Sequence, residues 1–253
     1  IPLRLVGSEM CIRDSFNLAG AAGSKIDIPK YDWSWKGFFG TYDRSAAQRG
    51  LKVYKEVCSG CHSMNLIAYR NLGDLGFSEQ QIKAIASDSL VEDGPNEDGD
   101  MFEREAIPSD RFANPYPNDN AARAANNGAY PPDLSLIVKA RPKGADYIHS
   151  LLLGYNDTPT DFKVPEGMWY NKYMEGHLIA MPAPLMDGAI EYDDGTEPTL
   201  EQLSSDVTTF LAWAAEPSLE HRKRLGIKVL LFLIALFILT YISKEKIWRD
   251  IKH

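Results

Sequence analysis

The stretch YKEVCSGCHSMN, residues 54–65, places two cysteines and a histidine within five positions. The spacing Cys58-x-x-Cys61-His62 is the attachment signature of a c-type haem. Two thiols stand ready to form thioethers with the vinyl groups, and an imidazole is placed to ligate the iron. Two other uses of such a pair need weighing. Structural zinc wants four ligands, and no second Cys/His pair follows at a suitable spacing. A redox dithiol normally follows a strand, whereas the preceding DRSAAQRGLKVYKEVC, residues 43–58, reads as helix. In that segment Ser45 and Gln48 suit a capping box, and Leu51, Tyr54 and Val57 recur every three residues. The motif is thus expected at the C-terminal end of a helix, with haem favoured.

Outward from the motif, the rest of the chain is bounded by its length and charge. Its 253 residues, 44% apolar, suffice for a real core, and the net charge is −8. That figure conceals an asymmetry: residues 221–253 carry eight Lys/Arg against two Asp/Glu, and residues 1–220 carry nineteen against thirty-three. An acidic body joined to a basic tail argues against nucleic acid as a partner and suits a cationic protein.

The tail encloses LGIKVLLFLIALFILTYIS, residues 225–243, nineteen residues with the single charge Lys228 near the start. As helix it spans about 28 Å, against roughly 30 Å of hydrocarbon, so a transmembrane anchor is expected over 221–243 with a short tail at 244–253. Lys228 can snorkel to one interface, and Tyr241 and Trp248 suit the other. A buried core helix is the alternative. Flanking charge does not orient the span: Arg222, Lys223, Arg224 and Lys228 balance Lys244, Lys246, Arg249 and Lys252. Covalent haem attachment outside the bacterial cytoplasm puts the body in the periplasm and the tail in the cytoplasm.

At the other end, IPLRLVGSEMCIRDS, residues 1–15, has no period and no cap, and resembles translated adapter sequence; it is set aside, with Met10 and Cys11. FNLAGAAGS, residues 16–24, reads as a signal-peptide remnant with cleavage near Ala21 or Ala22. Residues 25–220 are then the haem domain.

That domain reads as mostly helical with long loops. A short helix is expected over 64–72, stopped by Gly73, and another from a Ser78/Gln81 capping box to about Ser89. VEDGPNEDGDMFE, residues 91–103, holds six acids in thirteen residues and reads as a surface loop, either a solvated charge run or a docking patch for a basic partner. Asp119 caps a helix that stops at Gly128, residues 145–153 form one closed by Gly154, and Thr199 with Gln202 boxes a third. In this last helix Leu200, Leu203, Val207, Phe210, Leu211 and Ala214 make an apolar stripe. No internal repeat, phosphate loop or Ser/His/acid constellation is present, so no catalytic residue is assigned.

His62 supplies one axial ligand. For the other, Met64 lies too close to cross the macrocycle. Met181 in LIAMPAPLMDG, residues 178–188, is followed by Pro182 and Pro184, which favour an extended loop able to hold a thioether against iron. Met186 and His177 stand behind it; His149 falls mid-helix and reads as either packing or surface.

Together these residues resemble the cytochrome c1 family over 31–253. WSWKGFFGTYDRSAAQRGLKVYKEVCSGCHSMNLIAYRNL (33–72) is similar to the family's N-terminal block and AARAANNGAYPPDLSLIVKAR (121–141) to its most distinctive segment. GHLIAMPAPL (176–185) is similar to the ligand loop, and EHRKRLGIKVLLFLIALFI (220–238) to the anchor. The resemblance implies a mainly α, class I cytochrome c-like haem domain with long loop insertions plus one C-terminal transmembrane helix. It implies haem c on Cys58 and Cys61 with His62 and Met181 as axial ligands. Arg141 and Tyr147 correspond to residues near the propionates, Asn126, Pro131 and Pro132 to the pocket wall, and Tyr54 lines the pocket from the first helix. The implied role is electron transfer in a respiratory or photosynthetic chain, within the cytochrome bc1 (ubiquinol–cytochrome c reductase) complex. There the electron comes from a Rieske iron–sulfur protein, cytochrome b lies alongside in the bilayer, and a c-type cytochrome accepts. A terminal-oxidase subunit or tethered shuttle would share the haem motif and anchor without the 121–135 block. One departure is visible: some bacterial members carry a disulfide between the propionate segment and the Met loop, and residues 155–176 contain no cysteine, so stiffening there is expected from packing, Pro159 and Pro165.

Overall fold

The computed structural model describes residues 26–249. The expectations for residues 1–15 and 16–24 lie outside the described residues. The chain is mainly helical, with two small antiparallel pairs of strands.

Helix α1 (Arg44–Val53) starts at Asp43, whose carboxylate accepts from the Ala46 amide. The expected Ser45/Gln48 box is therefore not the start signal. Ser45 sits inside the first turn, and the Gln48 amide reaches away to the Leu75 carbonyl at 2.8 Å. The reason is that Asp43 already presents a cap oxygen two residues earlier. After Val53 the helix widens into a π-turn, Tyr54–Cys58, closed by the Ser59 amide on the Tyr54 carbonyl at 2.8 Å.

α6 (Leu200–Ala215) is the centre of the domain. Thr199 caps it by accepting from the Gln202 amide, but the Gln202 side chain turns to Asp206, so only half of the expected box forms. The apolar stripe is buried as expected, with Leu200 half-exposed at its start. The opposite face is buried too, through Ser204, Asp206, Thr208 and Thr209, because α1, α4 (Ile137–Ala140) and α5 (Ala145–Leu153) all pack on this helix.

The α1–α6 crossing depends on Gly50: a Cβ there would lie 2.0 Å from the Asp206 carbonyl oxygen and 2.7 Å from the Phe210 Cβ. Beside it Arg49 binds the fully buried Asp206 through two parallel bonds and extends to Asp194 at 2.9 Å. α5 joins α6 through His149, whose Nδ1 lies 2.8 Å from the Ser204 hydroxyl. Residues 26–42 run as a strap over α5, fastened where Tyr31 N, Trp33 Nε1 and Lys36 Nζ all donate to the Asp146 carboxylate.

Between these helices the expected helix at 64–72 is instead a 3₁₀ turn, Tyr69–Leu75, ended by Gly76 at φ +93°. Residues 64–67 are drawn out of helix because Ser63, Asn65 and Leu66 are hydrogen-bonded to the 133–135 segment. α2 (Glu79–Ser87) has the expected Ser78/Gln81 box. The acidic stretch is a hairpin, not an unstructured loop: β1 (Leu90–Asp93) pairs with β2 (Phe102–Glu105), Leu90 opposite Glu105. Arg104 holds it closed by gripping both Asp93 and Asp110. α3 (Asp119–Ala125) is capped by Asn118, one residue before the expected Asp119, and Gly128 follows with φ +85°. β3 (Trp169–Tyr170) pairs with β4 (Leu178–Ile179) at the base of the 178–188 loop.

Only Glu216, Pro217 and Ser218 separate α6 from α7 (Leu219–Trp248). Glu216 is bound to Lys139 and Arg222, and Glu220 to Arg44 and the Tyr42 amide. α7 is one unbroken helix of 30 residues, about 45 Å long, and starts two residues before and ends five after the expected 221–243 span. None of its most apolar stretch is buried against the protein, which removes the core-helix alternative.

Candidate haem site

The π-turn delivers Cys58, Cys61 and His62 to one corner of the domain. Cys61 N and His62 N both donate to the Cys58 carbonyl, at 3.1 and 2.9 Å, folding the motif on itself. Cys58 is half-buried and Cys61 exposed, both as free thiols. Burial, with the neighbouring Cys61 adding to it, pushes the Cys58 thiol up to about 12, so it stays protonated at neutral pH. No group of three or more His, Cys, Asp or Glu side chains able to hold a metal ion gathers among the described residues.

His62 is held from two sides. Its Nδ1 lies 2.8 Å from the Pro132 carbonyl oxygen. A carbonyl only accepts, so Nδ1 carries the proton and Nε2 presents its lone pair. Burial lowers the His62 pKa below its ordinary value, against the Pro132 bond and the Asp133 charge, keeping the ring neutral. Its own carbonyl accepts from the buried Tyr54 hydroxyl at 3.1 Å. Pro132 is fixed in turn by Asp133, whose carboxylate accepts from Ser63 Oγ, Asn65 N and Ser135 N, each at 2.8 Å. The donor set fits a covalently attached haem: two uncommitted thiols at the right spacing beside a neutral imidazole with its iron-binding nitrogen free.

The remaining expected residues fall into two groups. Near Cys61, the Asn126 amide donates to Tyr116, and the Tyr116 hydroxyl reaches the Cys61 sulfur at 3.9 Å. Tyr116 was not singled out by the sequence, where NPYPND offers a helix cap at its end but nothing that marks the tyrosine. Pro131 is half-buried next to Pro132. Tyr54 packs edge-on against Phe112 and tilted against Phe210, so it belongs as much to the core as to the pocket.

The second group surrounds Met181. Its carbonyl accepts from the Tyr155 hydroxyl at 3.0 Å, and burial raises the Tyr155 phenol pKa, with nearby Tyr147 adding to the rise. Tyr147 Oη sits 3.4 Å from the Met174 sulfur, and the Arg141 charge works against the rise in the Tyr147 pKa. Arg141 is exposed, its guanidinium bonded to the carbonyl of its neighbour Ala140. The two rivals to Met181 are placed differently: Met186 is exposed, and the His177 Nδ1 faces the Asn171 carbonyl at 3.3 Å between Phe162 and Tyr170. His149 is buried, which decides for packing over a surface position.

The loop between these groups is tied by a residue the sequence did not flag. Asn171, fully buried, donates from Nδ2 to Leu151 O at 2.8 Å and accepts on Oδ1 from Tyr173 N at 2.9 Å, while its backbone amide donates to His177 O. A side chain at Gly154 would collide with it, since a Cβ there lies 2.5 Å from Asn171 Oδ1.

Residues 33–251 match the Cytochrome C1 family. The chain is 48% identical to Cytochrome c1 of Rhodospirillum rubrum, over 93% of this chain and 94% of that protein. It belongs to the cytochrome c1 family. It is likewise 48% identical to a mitochondrial cytochrome c1-2 heme protein of Solanum tuberosum, over 92% of this chain and 90% of the relative. With Cytochrome b/c1 of Bradyrhizobium diazoefficiens it shares 50% identity over 99% of its own length, but it spans only 40% of that longer protein. The mainly helical domain with one long apolar C-terminal helix is the architecture expected of a membrane-anchored cytochrome c1.

Proposed function

We propose that this chain is the electron-carrying subunit of a cytochrome bc1 complex, a ubiquinol–cytochrome c reductase, in a respiratory or photosynthetic chain. The observation that carries the reading is the His62–Pro132 bond beside two free, correctly spaced thiols. When bound, haem c supplies one-electron chemistry between a Rieske iron–sulfur protein and a c-type cytochrome. The residues of the chain bind and orient it. Cys58 and Cys61 would supply the thioether sulfurs, His62 Nε2 and the Met181 sulfur would bind the iron, and Arg141 with Tyr147 would receive the propionates. Tyr155 fixes the backbone of the Met loop. Thioether ligation and an apolar wall both favour the ferrous state and so raise the potential.

In this reading residues 25–220 form the haem domain in the periplasm and residues 221–243 cross a bacterial cytoplasmic membrane beside cytochrome b. Residues 244–253 form a cytoplasmic tail. The name of the Bradyrhizobium relative, which joins b and c1, supports the cytochrome b partnership. A potentiometric titration of the haem absorbance in membranes expressing the full chain tests the proposal. A c-type band with a clearly positive midpoint is expected. A strongly negative midpoint, or no haem band, removes the His62/Met181 ligation and the role built on it.

A further inference from the structure

The strap before α1 carries five aromatic residues within ten positions, and they divide sharply. Trp33 and Tyr42 are buried, and Trp35 packs half-buried between them, at 4.8 and 5.5 Å between ring centroids. Phe38 and Phe39 do the opposite: they are 56% and 81% exposed, and their rings meet edge-to-face at 5.0 Å. They sit at the tip of a loop closed by the Thr41 amide on the Ser34 carbonyl at 3.1 Å.

This loop is locked to the start of α7. Lys223 Nζ donates to three loop carbonyls, Trp35 at 2.8, Gly37 at 2.7 and Gly40 at 2.9 Å. An ammonium has three donors, and here each has an acceptor. Gly37, at φ +76°, allows the turn, and Gly40 permits the close approach, since a Cβ there would lie 2.0 Å from the Lys36 carbonyl oxygen. Lys223 precedes Leu225, the first residue of the apolar run, by two positions, about 3 Å along the helix. The carbonyls that bracket Phe38 and Phe39 are therefore held at the level where α7 turns apolar.

We propose that the Phe38–Phe39 loop is a second membrane contact, its two rings seated in the interfacial layer of the bilayer beside α7. Two features favour lipid over a protein partner. The loop offers exposed apolar rings flanked by glycines, and its one charged side chain, Lys36, is paired with Asp146 on α5. The carbonyls of Trp35, Gly37 and Gly40 are already satisfied by Lys223, so the loop can enter a medium poor in water without leaving those groups unpaired. Exposed aromatic and aliphatic side chains at the headgroup boundary are the usual means by which a protein surface rests in a membrane. The proposal rests on α7 being the membrane anchor.

The test places a nitroxide at Phe39→Cys in the haem-loaded full chain with Cys11→Ser, where thioether formation removes the other two thiols. Reference labels sit at Glu97→Cys on the acidic hairpin and Leu233→Cys in α7. In phosphatidylcholine–phosphatidylglycerol vesicles, and again in the assembled complex, collisions with oxygen are compared with those of a water-soluble nickel chelate. Position 39 is expected to show an oxygen-to-nickel ratio several-fold above position 97, in both preparations. A ratio equal to that of position 97 overturns the proposal. So does loss of both collision partners at position 39 in the complex, which means that protein covers the loop. A water-like ratio at Leu233 sinks the anchor reading and the loop proposal with it, whereas a lipid-like Leu233 beside a water-like position 39 sinks the loop alone.

Discussion

Arg49 of α1 holds Asp206 of α6 side-on, Nε to Oδ2 at 2.8 Å and Nη2 to Oδ1 at 3.0 Å, at the point where the two helices come closest. The carboxylate has no access to solvent, so its charge is balanced by that guanidinium and the Gln202 amide. Arg49→Ala should cost about 3–5 kcal/mol in urea unfolding, because it strands a buried charge. Replacing Asp206 by Asn in the same background should recover part of the loss, and a failure to do so counts against the pair as the cause.

The same crossing makes Gly50 irreplaceable. Gly50→Ala puts a methyl group 2.0 Å from backbone, which only a shift of one helix relieves. A loss of about 1–3 kcal/mol or more is expected, with lower haem retention on heating. Gly73→Ala, where the nearest atom is the Ile82 Cδ1 methyl at an ordinary 3.8 Å, is the matched control and should be tolerated.

Met181→Leu should lower the midpoint potential by on the order of a hundred millivolts or more, or leave a five-coordinate haem that binds carbon monoxide. Tyr155→Phe, which frees the Met181 carbonyl without touching the sulfur, should lower the potential by a smaller amount and weaken the Met–iron absorption band. An unchanged potential in Met181→Leu would reassign the ligand.

His149 makes stability depend on pH near neutrality. Burial lowers its pKa, against the Ser204 bond and the charges of Glu201 and Asp146. The unfolded imidazole titrates near ~6.5. Above that value both states are neutral and protonation has no effect on folding. As pH falls below it the unfolded chain takes the proton first, and stability drops by at most about 1.4 kcal/mol per pH unit until the folded pKa is reached. Denaturation midpoints between about pH 8 and 5 should fall less steeply in His149→Asn than in the parent.

Reduction of a basic c-type cytochrome should slow as salt rises, because residues 1–220 carry nineteen basic against thirty-three acidic side chains. Arg104 is already engaged by Asp93 of the hairpin and Asp110 beyond it, and holds both carboxyls below their ordinary pKa range by direct hydrogen bonds. Glu97, Asp98 and Asp100 stay exposed. Charge reversal at these three should flatten the salt profile, and reversal at Arg104 should instead unfold the hairpin.

The haem motif, the anchor and four of the helix boundaries could be read directly from residue spacing. Local chemistry decides such features: a cap, a period of 3.6, or nineteen apolar residues in a row. What escaped depends on distant partners. Ser45 looks like a cap until Asp43 is seen to accept from Ala46, and 64–67 looks helical until residues 133–135 draw its polar groups away. Met181 stood out through its prolines, but Tyr155 and Asn171, which fasten that loop, have no signal in sequence because their partners lie 26 and 20 positions away. The resemblance to the family pointed to Pro132 without saying that its carbonyl, not its ring, is the group that matters to His62.

The three residues between α6 and α7 have a mechanical consequence. With Glu216 bridged to Lys139 and Arg222, and Glu220 to Arg44, the joint is braced from both the domain and the helix. A brace of this kind ties the orientation of the domain to that of α7, so that a tilt of the anchor would be passed on to the surface the domain offers its partners.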